Sequence, residues 1–145
     1  MTAQETYEAM MEAYVRPRLR QLGFRGSRQN YSLPSASHFA MLGFQKSAFS
    51  TAERVRFTVN VLLVSQSEWA ERRRHDPSFF PVRPTATTWH AVGNGGRIGY
   101  LTPEQEDTWW ELGAGDDPEP VATEVLCRIE DHVLPLMRSH MGAND

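Results

Sequence analysis

The sequence predicts an α+β domain of two layers: a mainly antiparallel sheet of about five strands with the N- and C-terminal helices packed on one face. Residues 54–63, Arg-Val-Arg-Phe-Thr-Val-Asn-Val-Leu-Leu, are apolar at almost every second position, the period of a half-buried strand. Both ends of the chain are apolar at helical spacing instead. Strands and helices never alternate as a parallel sheet requires, so the strands cluster between terminal helices. A chain of 145 residues is one domain's worth, long enough to bury roughly two thirds of its unfolded surface, and residues 1–145 read as a single domain.

Thr2 caps a first helix whose apolar face is Tyr7, Met10, Met11, Tyr14, the stem of Arg18 and Leu22, ended by Gly23. Pro17 lies inside that pattern; it removes a backbone donor and predicts a kink or a helix in two pieces, with the helical face unchanged. Turn residues Gly26 and Ser27 precede a short strand, Asn30-Tyr31-Ser32-Leu33, stopped by Pro34. Residues 38–47 form a second strand, apolar on both sides, which places it inside the sheet beside 54–63, the two joined as an antiparallel hairpin by the loop 48–53. In the central strand Val55, Phe57, Val59, Val61 and Leu63 share one face, and Arg54, Arg56, Thr58 and Asn60 the other. Burying each apolar member stabilises by roughly 1.5 to 3 kcal/mol, and a slip of one residue would bury arginines instead, so the orientation is strongly specified.

Ser67 caps a short helix that ends at Asp76-Pro77, and its Arg72-Arg73-Arg74 run, preceded by Glu68 and Glu71, reads as a solvated, ion-paired face. Residues 76–88 hold Pro77, Pro81 and Pro84 without any period and read as the longest loop, mobile or in contact with a partner. Residues 89–92 and 97–101 flank Gly93-Asn94-Gly95-Gly96 and predict a further hairpin. Residues 107–112 read as another strand, in which Trp109 and Trp110 point to opposite faces. After the loop 113–117, Asp117 caps and Pro118 begins a last helix with the face Val121, Val125, Leu126, Ile129, Val133, Leu136 and Met137. Pro135 predicts a second kink, and residues 142–145 are expected to fray.

A net charge of -3 and a pI near 5.9 argue against nucleic acid as a partner, since phosphate binding needs a net basic surface. The single cysteine, Cys127, excludes an intrachain disulfide, points to a reducing, cytoplasmic setting, and reads as a small buried apolar residue. No apolar run approaches the ~18 residues of a membrane span, and Glu5, Glu8, Glu12, Arg16 and Arg18 near the start are unlike a signal peptide, so no membrane is expected. His38, His75, His90, His132 and His140 never take a metal-ligand spacing, the glycines of 93–99 fit no phosphate loop, and no G-x-S-x-G occurs. No metal, cofactor or catalytic set is therefore expected.

The polar side of the central strand is the candidate site. Gln45 and Ser47 come onto the side of Arg56, Thr58 and Asn60, to be joined by Arg97 and one of the paired tryptophans. Convergent donors, a guanidinium and an aromatic plate suit a small polar or anionic ligand, or a protein partner. Such a surface fits a non-enzymatic binding module; the alternatives are a small hydrolase-like enzyme in which Arg56 or Arg97 orients a polar or anionic substrate, and a toxin-inhibiting, immunity-type protein that occludes a basic partner. The enzyme would use a carboxylate from another loop as base, so a carboxylate or histidine within hydrogen-bond reach of the Arg and Asn cluster in a concave pocket would favour it. An exposed strand edge or spare tryptophan leaves a homodimer open.

Gly23-Phe24 after the first helix, Phe44-Gln45-Lys46-Ser47, Phe57-Thr58-Val59-Asn60, Arg97-Ile98-Gly99-Tyr100-Leu101 and Asp107-Thr108-Trp109-Trp110 resemble, in order and spacing, the bacterial domain-of-unknown-function family 4304. The likeness covers almost the whole chain. Members often carry Gly two places after the Asn of the central strand, where this chain has Leu62. The resemblance implies a single cytoplasmic bacterial domain and draws attention to Gln45, Ser47, Asn60, Arg97 and Trp110; it implies no reaction.

Overall fold

The computed structural model describes residues 1–91 and 94–142, without the side chains of 89–91. Helix α1 (Ala3–Met10) passes through a π-helical turn (Met11–Val15) into α2 (Arg16–Gln21). Strands β1 (Arg25–Ser27), β2 (Asn30–Leu33), β3 (His38–Lys46) and β4 (Arg54–Ser65) follow, then α3 (Gln66–His75). Beyond it come β5 (Gly96–Arg97), β6 (Trp110–Gly113), α4 (Glu119–Arg128), a second π-helical turn (Ile129–Val133) and α5 (Leu134–Met141). All pairings are antiparallel in the order β1-β2-β3-β4-β5, and β6 lies beside β5 along the same edge of β4.

The first helix begins where expected. The Thr2 hydroxyl accepts the Glu5 amide at 3.2 Å while the Thr2 amide donates to the Glu5 carboxylate, a capping box that holds the Glu5 carboxyl below the usual carboxylate range. The expectation that Pro17 leaves the helical face unchanged is corrected. A proline ring collides with the carbonyl four residues back, and here the preceding Arg16 amide bonds instead to the Met11 carbonyl, five back, which widens the turn. That turn holds one extra residue, so beyond Met11 the fully buried positions are Val15 and Leu19, while the expected Tyr14 and Leu22 are half-buried against the core and Arg18 is exposed. Pro135 is met in the same way: the Leu134 amide bonds to the Ile129 carbonyl, and Leu134 is buried while the expected Leu136 is half-buried against the core.

The hairpin of β3 and β4 has the expected face assignment, with Gln45 opposite Thr58, Gly43 opposite Asn60 and Met41 opposite Leu62. Val55, Phe57, Val59, Val61 and Leu63 are fully buried under the terminal helices, against Tyr7, Met10, Val15, Leu19, Val125, Ile129 and Met137. Edge-to-face packing of Tyr7 on Phe57, with centroids 5.2 Å apart, ties α1 to the sheet.

The reverse face is less open than a solvated polar surface. Leu62, Val64 and Met41 form a second, smaller core there with Trp69 of α3 and with Phe80 and Ala86 of the proline-containing segment. Helix α3 is capped by Ser65, not Ser67: its hydroxyl accepts the Glu68 amide at 3.1 Å. The arginine run is exposed, and Arg74 and His75 both pair with Glu71. The hairpin expected around the glycine run is also corrected. Residues Ala86–Ala91 form a 3-10 turn, β5 is two residues long, and Ile98–Leu101 form another 3-10 turn; Val92 and Gly93 lie outside the described residues. The glycines serve close approach, because a Cβ on Gly95 would overlap the Val61 carbonyl oxygen. Of the strand expected at 107–112, only the part from Trp110 onward pairs with β4. The cap of the last helix is corrected by one residue: Pro118 is the N-cap and the helix starts at Glu119, whose amide Asp117, just before the cap, accepts at 3.1 Å. Cys127, expected to be buried, is exposed on α4. Residues 143–145 of the expected frayed end lie outside the described residues. No described helix is long and apolar enough to cross a membrane.

Candidate functional site

The polar residues of the reverse face gather at the end of β4 remote from α3, and an arm formed by residues 102–109 is laid over them. Its base is tight. A Cβ on Gly99 would overlap the Glu106 carbonyl oxygen, the Thr102 hydroxyl donates to the Gly99 carbonyl at 2.9 Å, and the Gln105 side chain donates to the Tyr100 and Thr102 carbonyls, each at 2.8 Å. At its far end the arm supplies an acceptor for Thr58, whose hydroxyl donates to the Thr108 carbonyl at 2.7 Å. Asp107 Oδ2 accepts from Arg97 Nη1 at 2.8 Å and from Trp109 Nε1 at 3.0 Å. The guanidinium carbons of Arg56 and Arg97 each stand 5.0 Å from the Trp109 ring centroid, so the indole serves both cations as a cation–π partner.

Of the expected site residues, several are engaged with one another. Thr58 is 0 % exposed and Asn60 1 % exposed, and the Asn60 amide donates to Gln45 Oε1 at 2.8 Å. Both are structural polar groups inside the sheet's cover. Arg97 is paired with Asp107, which sequence reasoning did not select although it opens the Asp107-Thr108-Trp109-Trp110 motif. Trp110 is corrected. It is 5 % exposed and lies on the core face, 5.7 Å from the Phe57 ring, with the Arg128 guanidinium 5.9 Å from its own ring. Pairing of Phe57 with Trp110 across β4 and β6 puts these two on one face and sends Trp109 to the polar side.

Ser47 and Arg56 remain accessible. With Phe49, Thr51, Glu53, Arg54 and Glu111 they line a cleft of about 480 Å³ at the β3–β4 turn. Arg54 pairs with Glu111 at 3.0 Å, and Phe49 at the rim is 92 % exposed. The Arg56 guanidinium makes no ion pair among the described residues. Glu111 sits opposite Arg56 across β4 and β6, and Asp107 uses one oxygen for both Arg97 and Trp109. Among the described residues, no three His, Cys, Asp or Glu side chains gather as a metal site would need.

Asn60→Ala is expected to destabilise the fold by about 1 to 3 kcal/mol, because it empties the buried Asn60 position and leaves the half-buried Gln45 oxygen without its partner. Urea unfolding reads this directly. An unmoved midpoint would contradict a structural role for the pair.

Comparison with curated proteins returns no match, and neither does comparison with solved structures. The family model described as Domain of unknown function (DUF4304) does match, over residues 15–139, which takes in every residue of the arm, the cleft and the Asn60 pair; the chain belongs to that family.

Proposed function

We propose that the domain is a non-enzymatic binding module that holds the carboxylate or phosphate of a polar ligand or protein partner at Arg56. The supporting observation is an exposed guanidinium stacked on Trp109, free of any ion pair among the described residues, at the wall of the 480 Å³ cleft. A planar guanidinium presents parallel N–H donors that match an oxyanion, and stacking on an aromatic ring restricts its rotamers before binding. Phe49 at the rim adds apolar surface beside that charge. Asp107 stands within hydrogen-bond reach of Arg97, but its Oδ2 already accepts from both Arg97 and Trp109 and it does not line the Arg56 cleft, which suits a rigid recognition surface better than proton transfer.

A thermal-shift titration with citrate, inorganic phosphate and a glutamate-rich peptide tests the proposal. At least one of these should raise the wild-type melting temperature in a saturable way. Arg56→Ala should abolish the rise, and Arg56→Lys, which keeps the charge but loses the fork, should weaken binding about tenfold. Equal stabilisation of wild type and Arg56→Ala, or none of either, rejects it.

A further inference from the structure

A second polar groove crosses the same face nearer β2, and nothing in the Arg56 cleft requires it. It consists of two adjoining hollows, of about 250 and 300 Å³, that share Ser32, Met41 and Arg83. One continues past Ser35, His38 and Gln66; the other runs beneath Pro84 to Arg25 and Asn30. Each lies near the lower end of the roughly 300–1,000 Å³ range of small-molecule sites.

Its charge distribution is one-sided. The chain as a whole carries -3, yet neither hollow is lined by any Asp or Glu, while Arg25 and Arg83 both enter the lining. Neither arginine forms an ion pair among the described residues, and both are exposed. The Ser32 hydroxyl, where the two hollows meet, makes no hydrogen bond among the described residues. Met41 and the buried Pro84 supply an apolar wall next to these donors. Unpaired guanidinium groups without neighbouring carboxylates create a local positive potential on an otherwise acidic molecule, and a hydroxyl between them offers a further donor.

We infer that this groove is a binding site for a small organic oxyanion, its carboxylate or phosphate held by Arg83, Ser32 and Arg25 and its apolar body set against Met41 and Pro84. The wall of the site is the proline-containing segment, which Trp69 anchors by donating its indole N–H to the Pro81 carbonyl at 2.8 Å. The fixed φ of Pro81 and Pro84 narrows the conformations of the segment that carries Arg83 to the edge of the groove.

Amide chemical shifts of the isotopically labelled full chain, titrated with benzoate and separately with phenyl phosphate, test the site and distinguish the two head groups. Saturable shifts are expected at Ser32, Met41, Arg83 and Thr85 with at least one probe, while benzyl alcohol, which lacks the charge, should bind at least about tenfold more weakly. Arg83→Gln and Arg25→Gln should each weaken the bound probe about tenfold or more with an unchanged melting temperature, both residues being exposed. Arg56→Ala should leave this binding unaltered, so failure here and failure of the Arg56 proposal are separate results. No saturable shift with either probe, or shifts indifferent to both arginine substitutions, overturns the inference.

Discussion

Phe57→Ala is expected to lower the unfolding free energy by about 3 to 5 kcal/mol, the range for emptying a buried phenylalanine site. Phe57 is fully buried in the first half of β4, where its ring meets Tyr7 of α1 edge-on at 5.2 Å and the Trp110 ring of β6 at 5.7 Å. Three elements distant in sequence therefore converge on one side chain. Truncation removes the transfer free energy of the ring and leaves a cavity whose walls are a helix, a strand and a tryptophan that cannot all move inward. For a chain of this size the loss corresponds to a fall in melting temperature of roughly 10 to 20 °C. Urea unfolding with tyrosine and tryptophan fluorescence provides the check. A loss below about 1 kcal/mol would contradict the face assignment of the whole central strand.

Trp69→Ala is expected to cost a similar 3 to 5 kcal/mol or so, but with a different signature. Trp69 is the centre of the smaller core: its ring packs edge-on against Phe39 at 6.3 Å and Phe80 at 5.1 Å, and its N–H donates to the Pro81 carbonyl. Losing it should release the segment 76–88 from the reverse face while the helices stay packed on the other. Limited proteolysis should then cut within 76–88 much faster than in the wild type, and oxyanion binding at Arg83 should disappear even at temperatures where the sheet remains folded. Cleavage rates and probe binding equal to those of the wild type would show that the segment is held by something other than the indole.

Much of the architecture follows from periodicity. The alternation from Val55 to Leu63 allows only one side to face a core, and the register found between Gln45 and Thr58 agrees with it. Thr2 and Asp117 announce helix starts because short polar side chains satisfy free amides there. The candidate surface was legible only as a face. Gln45, Ser47, Arg56, Thr58, Asn60 and Arg97 do share one side of the sheet, but Thr58 and Asn60 lie under a cover that no local pattern announces. Residues 102–109 reach Thr58, and Gly99 lets their backbone come close at the base of that arm; neither period nor composition expresses such an approach.

Local sequence determined which residues pair on a strand face, where helices begin and that an antiparallel sheet lies between terminal helices, since these depend on repeats of two and 3.6 residues within one segment. Tertiary structure decided the rest. It turned the buried face of the first helix by one position to clear Pro17, and it chose Trp110 over Trp109 for the core through the pairing of β6 with Phe57. It also closed part of the polar face with Trp69, Phe80 and Ala86, leaving Arg56 at one end and Arg83 at the other. Each of these outcomes depends on which distant segments meet and in what register, and that is settled only when the whole core packs at once.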